Sequence, residues 1–200
     1  MWKKFSRSLW LQILIIALAN DFIDLFGQFP NPVETALDLL TGLLIVLLIK
    51  MKTFEVFQPK IVNKIISIFT LLVIVDLLPF IDIAPLWTLA TLALYNDFYR
   101  MNLLFKTYNI LNNLSKILIR NPVSWSYITC SINRAGDYLR EISRLVSREV
   151  RKQVLILARE MTEYAAKYSA VKEEYPSEEE ARSLVILLDS WLGKLISFFE

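Results

Sequence analysis

Histidine is absent from this chain, and cysteine occurs once, at Cys130. Without histidine the protein lacks the usual general base near neutral pH, the commonest transition-metal ligand and the usual pH switch. A lone cysteine makes neither an intrachain disulfide nor a Cys/His zinc cluster. Cys130 is expected to be a small buried apolar residue. Glycine is scarce, at 4 residues, and proline contributes 7, so long irregular loops are not expected. There is no Gly-rich phosphate loop, nucleophile elbow, histidine-based triad or zinc motif. The chain is therefore read as not an enzyme, with no cofactor.

Positive charge is also missing, but locally. The net charge is +2, from 22 Lys+Arg and 20 Asp+Glu. Yet no Lys or Arg occurs from Ser8 to Ile49, nor between Ile65 and Tyr99. What fills those stretches is apolar. The chain is 55% hydrophobic with a mean hydropathy of +0.44, against about 45–50% apolar in an ordinary soluble domain. The excess lies in the first half, a pattern that suggests a membrane protein.

Leu9 to Lys50 organises that half: two apolar runs flank a break at Gly27–Pro32. Four segments, at about 9–26, 33–49, 61–78 and 85–103, read as transmembrane spans. Trp10 and Trp87 sit like interfacial aromatics, as do Tyr95, Phe98 and Tyr99. Asn31, Pro32 and Glu34 form a helix-start signature: an N-cap, a first-position proline and a capping acid. The two hairpins resemble each other at a period of roughly 52 residues, in the manner of a repeat or of shared hairpin grammar. A basic start followed by an apolar core and Ala17-Leu18-Ala19 imitates a signal peptide cut before Asn20. The apolar run continues through Phe26, which argues against cleavage. Basic residues cluster at the N-terminus, in the 50–64 linker and after Arg100, and the two turns have none. The positive-inside rule then places both termini in the cytoplasm of a multi-pass membrane protein.

The second half reads as cytoplasmic helices. Residues 104–120 have an apolar face of Leu104, Tyr108, Leu111, Leu114 and Leu118. Lys106, Lys116 and Arg120 lie opposite, where they could meet a membrane surface. Asn121-Pro122 breaks that helix. One long helix is expected from about Ser124 to Glu174. Ile132, Ala135, Leu139, Ile142 and Val146 follow one heptad, and Val150, Val154, Leu157, Met161, Tyr164, Tyr168 and Val171 follow another, with a stutter between. Arg140, Arg144, Arg148 and Arg151 form a basic stripe on it. Asp137, Glu141 and Glu149 dilute that stripe, so a solvated or partner- or lipid-facing surface is expected and nucleic acid is not. Ser177 to Glu180 is a capping box for a last helix, expected to fold back on the long one.

One acidic constellation stands out. Asp21 and Asp38 each lie about six residues from the first turn, roughly 9 Å along a helix, with Asp24 and Glu34 nearer the turn. Together they are a candidate cation or proton site. The plainer alternative is that Asp21 and Asp38 bond Asn20, Thr35 or Thr41 in a packed bundle.

The expectation is an all-α integral membrane protein of two transmembrane hairpins (1–103), an amphipathic interfacial helix (104–120) and a cytoplasmic helical domain with a long coiled-coil-like helix (121–200). Its expected role is structural: the helical tail would mediate oligomerisation or recruit a partner, beside the lipid bilayer. A small cation or proton channel or transporter component, and a membrane-shaping hairpin protein, are the rival readings.

Overall fold

A computed structural model describes residues 5–26, 31–53, 60–76, 85–171 and 174–198, and every described element is helical. The chain divides into two compact units, Met1–Tyr99 and Arg100–Glu200. The first contains α1 (Phe5–Phe26), α2 (Asn31–Thr53), α3 (Lys60–Asp76), α4 (Leu86–Ala93) and the start of α5 (Tyr95–Arg120). The second contains the rest of α5, then α6 (Trp125–Ser143), α7 (Arg148–Ser169) and α8 (Glu178–Ser197).

The four-span expectation is overturned. Among the described residues, no helix is long and apolar enough to cross a membrane. A span needs about 20 consecutive, mainly apolar residues. α3 has 17 residues and α4 has 8. The fourth apolar stretch is divided at Leu94, a turn residue between α4 and α5, although backbone bonds from Leu94 N to Ala90 O and from Phe98 N to Leu94 O carry the ladder across it. The apolar runs of α1 and α2 are interrupted by Asn20, Asp21 and Asp38, which make hydrogen bonds inside the unit. The multi-pass membrane localisation, with both termini cytoplasmic, falls with the spans on which it rested.

In the N-terminal unit, α1 packs on α2 and α4, and α3 packs on α2 and α4. The four helices thus close a ring. α1 turns Leu9, Ile13, Ala17 and Asn20 inward, at helical spacing. α2 contributes Asp38, Gly42, Ile45 and Ile49, α3 contributes Ile65 and Phe69, and α4 contributes Trp87. Trp87 stacks on Phe69 with ring centroids 6.2 Å apart. Gly42 is required where α2, α3 and α4 meet. A Cβ there would overlap Val73 Cγ2 and come within 3.3 Å of Trp87 Cη2.

The outward faces of this ring are apolar as well. Leu11, Ile15, Leu18 and Phe22 on α1, Leu40, Leu43 and Leu47 on α2, Leu71 and Ile74 on α3, and Leu89 and Leu92 on α4 are all exposed. Phe22 is 64% exposed and Leu40 61%. A helix that is apolar all round is the mark of one covered on every side.

The C-terminal unit corrects a second expectation. Ser124 to Glu174 is not one long coiled-coil-like helix but an α-hairpin. α6 ends at Ser143, Ser147 holds the N-cap position of α7 without a side-chain cap bond, and the two helices pack on each other. They run antiparallel: Trp125 at the start of α6 stacks on Tyr168 at the end of α7, 4.4 Å between ring centroids. Midway, Arg140 Nη2 donates to Thr162 Oγ1 at 2.7 Å. Gly136 lies beside Ala158 O, Met161 Cβ and Thr162 Oγ1. The physical reason is local. The apolar seam skips at Val146–Val150, where Ser147, Arg148 and Glu149 are exposed. A stutter within one helix and a tight turn between two leave the same skip in sequence.

Two guanidinium groups secure the turn. Arg151 Nε donates to Ser143 O at 2.8 Å, and Arg100 Nη1 donates to Leu145 O at 3.3 Å. Arg151 meets the carbonyl of the last residue of α6, which has no helical partner, and Arg100 meets a carbonyl of the turn that follows. The first heptad is buried as expected, at Ile132, Ala135, Leu139, Ile142 and Val146; of the second, Val154, Leu157 and Met161 are buried while Val150, Tyr164, Tyr168 and Val171 are half-buried, and Ala158 and Ala165 complete the inward face of α7. α8 begins at the expected capping box, with Ser177 Oγ accepting from Glu180 N and the Glu180 carboxylate accepting from Ser177 N. It lies antiparallel to α7. Trp191 meets Tyr164 edge-on at 5.8 Å, and Lys194 pairs with Glu160 at 2.8 Å. Its inward residues are Leu184, Leu188, Trp191 and Leu195. Leu104, Leu111, Leu114 and Leu118 of α5 are also buried. Cys130 is exposed on α6, contrary to the buried position expected of it.

Candidate functional site

Of the four acids singled out in sequence, the structure describes the side chains of two, Asp21 and Asp38; those of Asp24 and Glu34 lie outside the described residues. Asn20 and Asp38 are 3% and 6% exposed. Asn20 Nδ2 donates to Asp38 Oδ1 at 2.7 Å, and Thr41 Oγ1 donates to Asn20 Oδ1 at 2.7 Å. The Asn20 amide thus uses both its ends, one on each of two α2 side chains a helical turn apart. A buried carboxylate is costly to place unless hydrogen-bonded, and this seam offsets that cost where α1 crosses α2.

Asp21 points toward a different helix. Its carboxylate accepts from Thr88 N at 2.8 Å and from Trp87 N at 3.3 Å. These are the third and second residues of α4, where backbone N–H groups have no intrahelical acceptor. The N-cap residue of α4 is Pro85, and no side-chain cap bond is made from that position. Asp21 therefore caps α4 from another helix, and its negative charge sits at the positive end of the helix dipole. One signal for this was available in sequence: a helix that begins after proline, with no Ser, Thr, Asp or Asn at its cap, needs an acceptor from elsewhere. The same corner holds two buried polar atoms without a hydrogen-bond partner among the described residues, Trp87 Nε1 and Thr88 Oγ1.

Chemically, this arrangement ties three helices together. Asn20 and Asp21 are adjacent on α1, one reaching α2 and the other α4. Among the described residues there is no group of three or more His, Cys, Asp or Glu that could hold a metal ion. At the opposite end of α1, Trp10 Nε1 donates to Thr91 O at 3.2 Å, and its ring meets Tyr95 edge-on at 5.1 Å. Lys64 pairs with Asp97 at 2.7 Å.

The basic residues expected to act in concert are dispersed. The turn between α6 and α7 leaves Arg140 on α6 and Arg144 as its C-cap, while Arg148 opens α7 and Arg151 lies one turn on. Arg140 pairs with Asp137 at 2.9 Å, and Arg151 bonds the backbone of the turn. No single helix carries all four as a stripe. Lys106 stands 5.3 Å from the centre of the Tyr138 ring, a cation–π contact within the C-terminal unit. Lys116 and Arg120 are exposed.

An aromatic column, of which only Tyr164 and Tyr168 were read in sequence as heptad positions, joins α6, α7 and α8. Trp125 stacks on Tyr168, Tyr168 on Tyr164 at 4.6 Å, and Tyr164 meets Trp191. Burial raises the ionisation of the Tyr164 phenol well above its ordinary range, and Tyr168 and then Glu180 push it in the same direction. Beside it is an open cavity of about 450 Å³, lined by Tyr164, Tyr168, Ser177, Glu179, Glu180, Ser183 and Leu187.

No known protein family matches the chain, and neither a curated protein nor a solved structure is measurably similar to it.

Proposed function

We propose that the chain is a non-catalytic interaction protein that acts by presenting helix faces to a partner. One observation carries this reading. The N-terminal unit turns bonded polar groups inward (Asn20, Asp38, Thr91) and exposes large apolar side chains on all four helices of its ring. A protein whose outer surface met only water would arrange these the other way round, and extended exposed apolar surface marks a place of association. The C-terminal unit fits the same role as a packed helical module, held by the aromatic column and the α6–α7 turn, that recruits a partner or a second copy. The asparagine–aspartate seam and the Asp21 cap then serve to hold the presenting helices in register.

The experiment is light scattering of the full chain after size-exclusion chromatography in plain aqueous buffer. The expected result is association: a defined oligomer, or material that stays dispersed only when an apolar partner is supplied. A stable, monodisperse monomer in plain buffer would refute the proposal.

A further inference from the structure

We infer that the cavity between α7 and α8 is a binding site for an organic cation that carries N–H donors, an alkylammonium or guanidinium group. The site lies in the C-terminal unit and is independent of the apolar surface on which the interaction reading rests.

The cavity holds about 450 Å³, within the range of about 300–1,000 Å³ usual for small-molecule sites. Its described lining is mostly oxygen: the phenols of Tyr164 and Tyr168, the hydroxyls of Ser177 and Ser183, and the carboxylates of Glu179 and Glu180. Such a wall asks for a ligand with several N–H donors. Burial, then Tyr168 and Glu180, keeps the Tyr164 phenol protonated, so its oxygen accepts without adding charge. The charge of the site comes from the two carboxylates. Glu180 takes both its bonds at Oε2, from Ser177 N at 2.8 Å and Ser177 Oγ at 2.9 Å, which leaves Oε1 for a ligand. Glu178 is paired with Arg182, whereas exposed Glu179 has no ion pair among the described residues.

Other ligand classes fit less well. An anion would meet two carboxylates and, among the described lining residues, no Lys or Arg. Two carboxylates are too few to cage a hard metal ion. A sugar or a flat ring needs an open aromatic face. Tyr168 is stacked on Trp125 at 4.4 Å and on Tyr164 at 4.6 Å, Lys167 stands 5.2 Å from its centre, and Tyr164 meets Trp191 edge-on. The ring faces are taken and the hydroxyl edges remain.

The full chain is titrated by ligand-observed NMR with diaminobutane, which represents a free amine, and with Nα-acetyl-arginine amide, which represents the tip of a basic side chain. Both are expected to saturate, and the tighter of the two names the source. Tetramethylammonium has the charge but no N–H, and butanediol has no charge; each should bind at least about tenfold more weakly. Glu179→Gln should weaken the amine by about tenfold. Glu180→Gln, which keeps the capping box, should weaken it likewise. Ser183→Leu fills the cavity from an exposed position of α8 and changes no charge. It should keep the parental helical circular dichroism and lose saturable binding. Undiminished binding by Ser183→Leu overturns the inference, because the attraction is then spread over an acidic surface. So does equal binding of tetramethylammonium or butanediol, and so does the absence of saturation up to about 10 mM.

Discussion

Replacing Asp21 with alanine gives the sharpest reading of the polar seam. The carboxylate makes one bond of normal length to Thr88 N, 2.8 Å, and one long bond to Trp87 N, 3.3 Å. Loss of a helix cap costs about 0.5–2 kcal/mol, and a hydrogen bond to a charged group contributes about 1.5–3 kcal/mol. These figures describe the same interaction and are not added. Asp21 is partly exposed, so the lower part of the second range applies, and about 1.5–2 kcal/mol is expected. Pro85 offers no side chain to take over the cap. The opening of α4 should therefore become easier even where the remainder of the unit holds. Amide hydrogen exchange is the suitable assay because it reads α4 locally, and a chain of two units has no single unfolding free energy. Protection at Trp87 and Thr88 should fall by roughly 10–30-fold in the alanine variant. Asp21→Asn keeps one acceptor oxygen and loses the charge on the helix dipole, so a loss of about 0.5–1 kcal/mol is expected. If Asp21→Ala leaves α4 protection within a factor of two of the parent, the capping argument is wrong.

Two further outcomes follow from the packing. Gly42→Ala pushes a methyl group into Val73 and toward Trp87 and should destabilise the N-terminal unit by about 1–3 kcal/mol; thermal unfolding followed by Trp fluorescence reads the loss, and adding Val73→Ala should restore part of it. Tyr164 should ionise only at a pH well above that of exposed tyrosines, because burial and the neighbouring Tyr168 and Glu180 disfavour the phenolate. A folded-state value raised in this way contributes stability that is fully present below the unfolded tyrosine value of about 10 and is lost as pH rises beyond it. Alkaline titration followed by tyrosinate absorbance, with Tyr164→Phe as the control, checks this: the variant should lack one late-titrating group.

Much of the helical layout was legible from periodicity. The inward faces of α6, α7 and α8 follow from apolar spacing, because a helix repeats its side-chain direction every three to four residues wherever it is placed. The start of α8 at Ser177 follows from capping chemistry, which involves residues three apart in the same segment. Such features need no information from elsewhere in the chain.

Other features depend on what meets what. The skip at Val146–Val150 is equally compatible with one stuttering helix and with a hairpin. Bonds from Arg100 and Arg151 to the turn, and the meeting of Trp125 with Tyr168, belong to the folded hairpin. Apolar content pointed to four spanning helices, but composition does not see where a helix stops, as at Leu94. Cys130 is exposed although its residue type favours burial, because its place on α6 puts it on the face away from α7. Asp21 and Asp38 looked equivalent, being about equally far from one turn. Adjacent residues on a helix diverge by about 100°, so Asn20 reaches α2 while Asp21 reaches the start of α4. Distance along the chain placed these acids at one level of the bundle. Which backbone donors and side chains each would meet was settled by the packing of α4 against α1, 66 residues away in sequence.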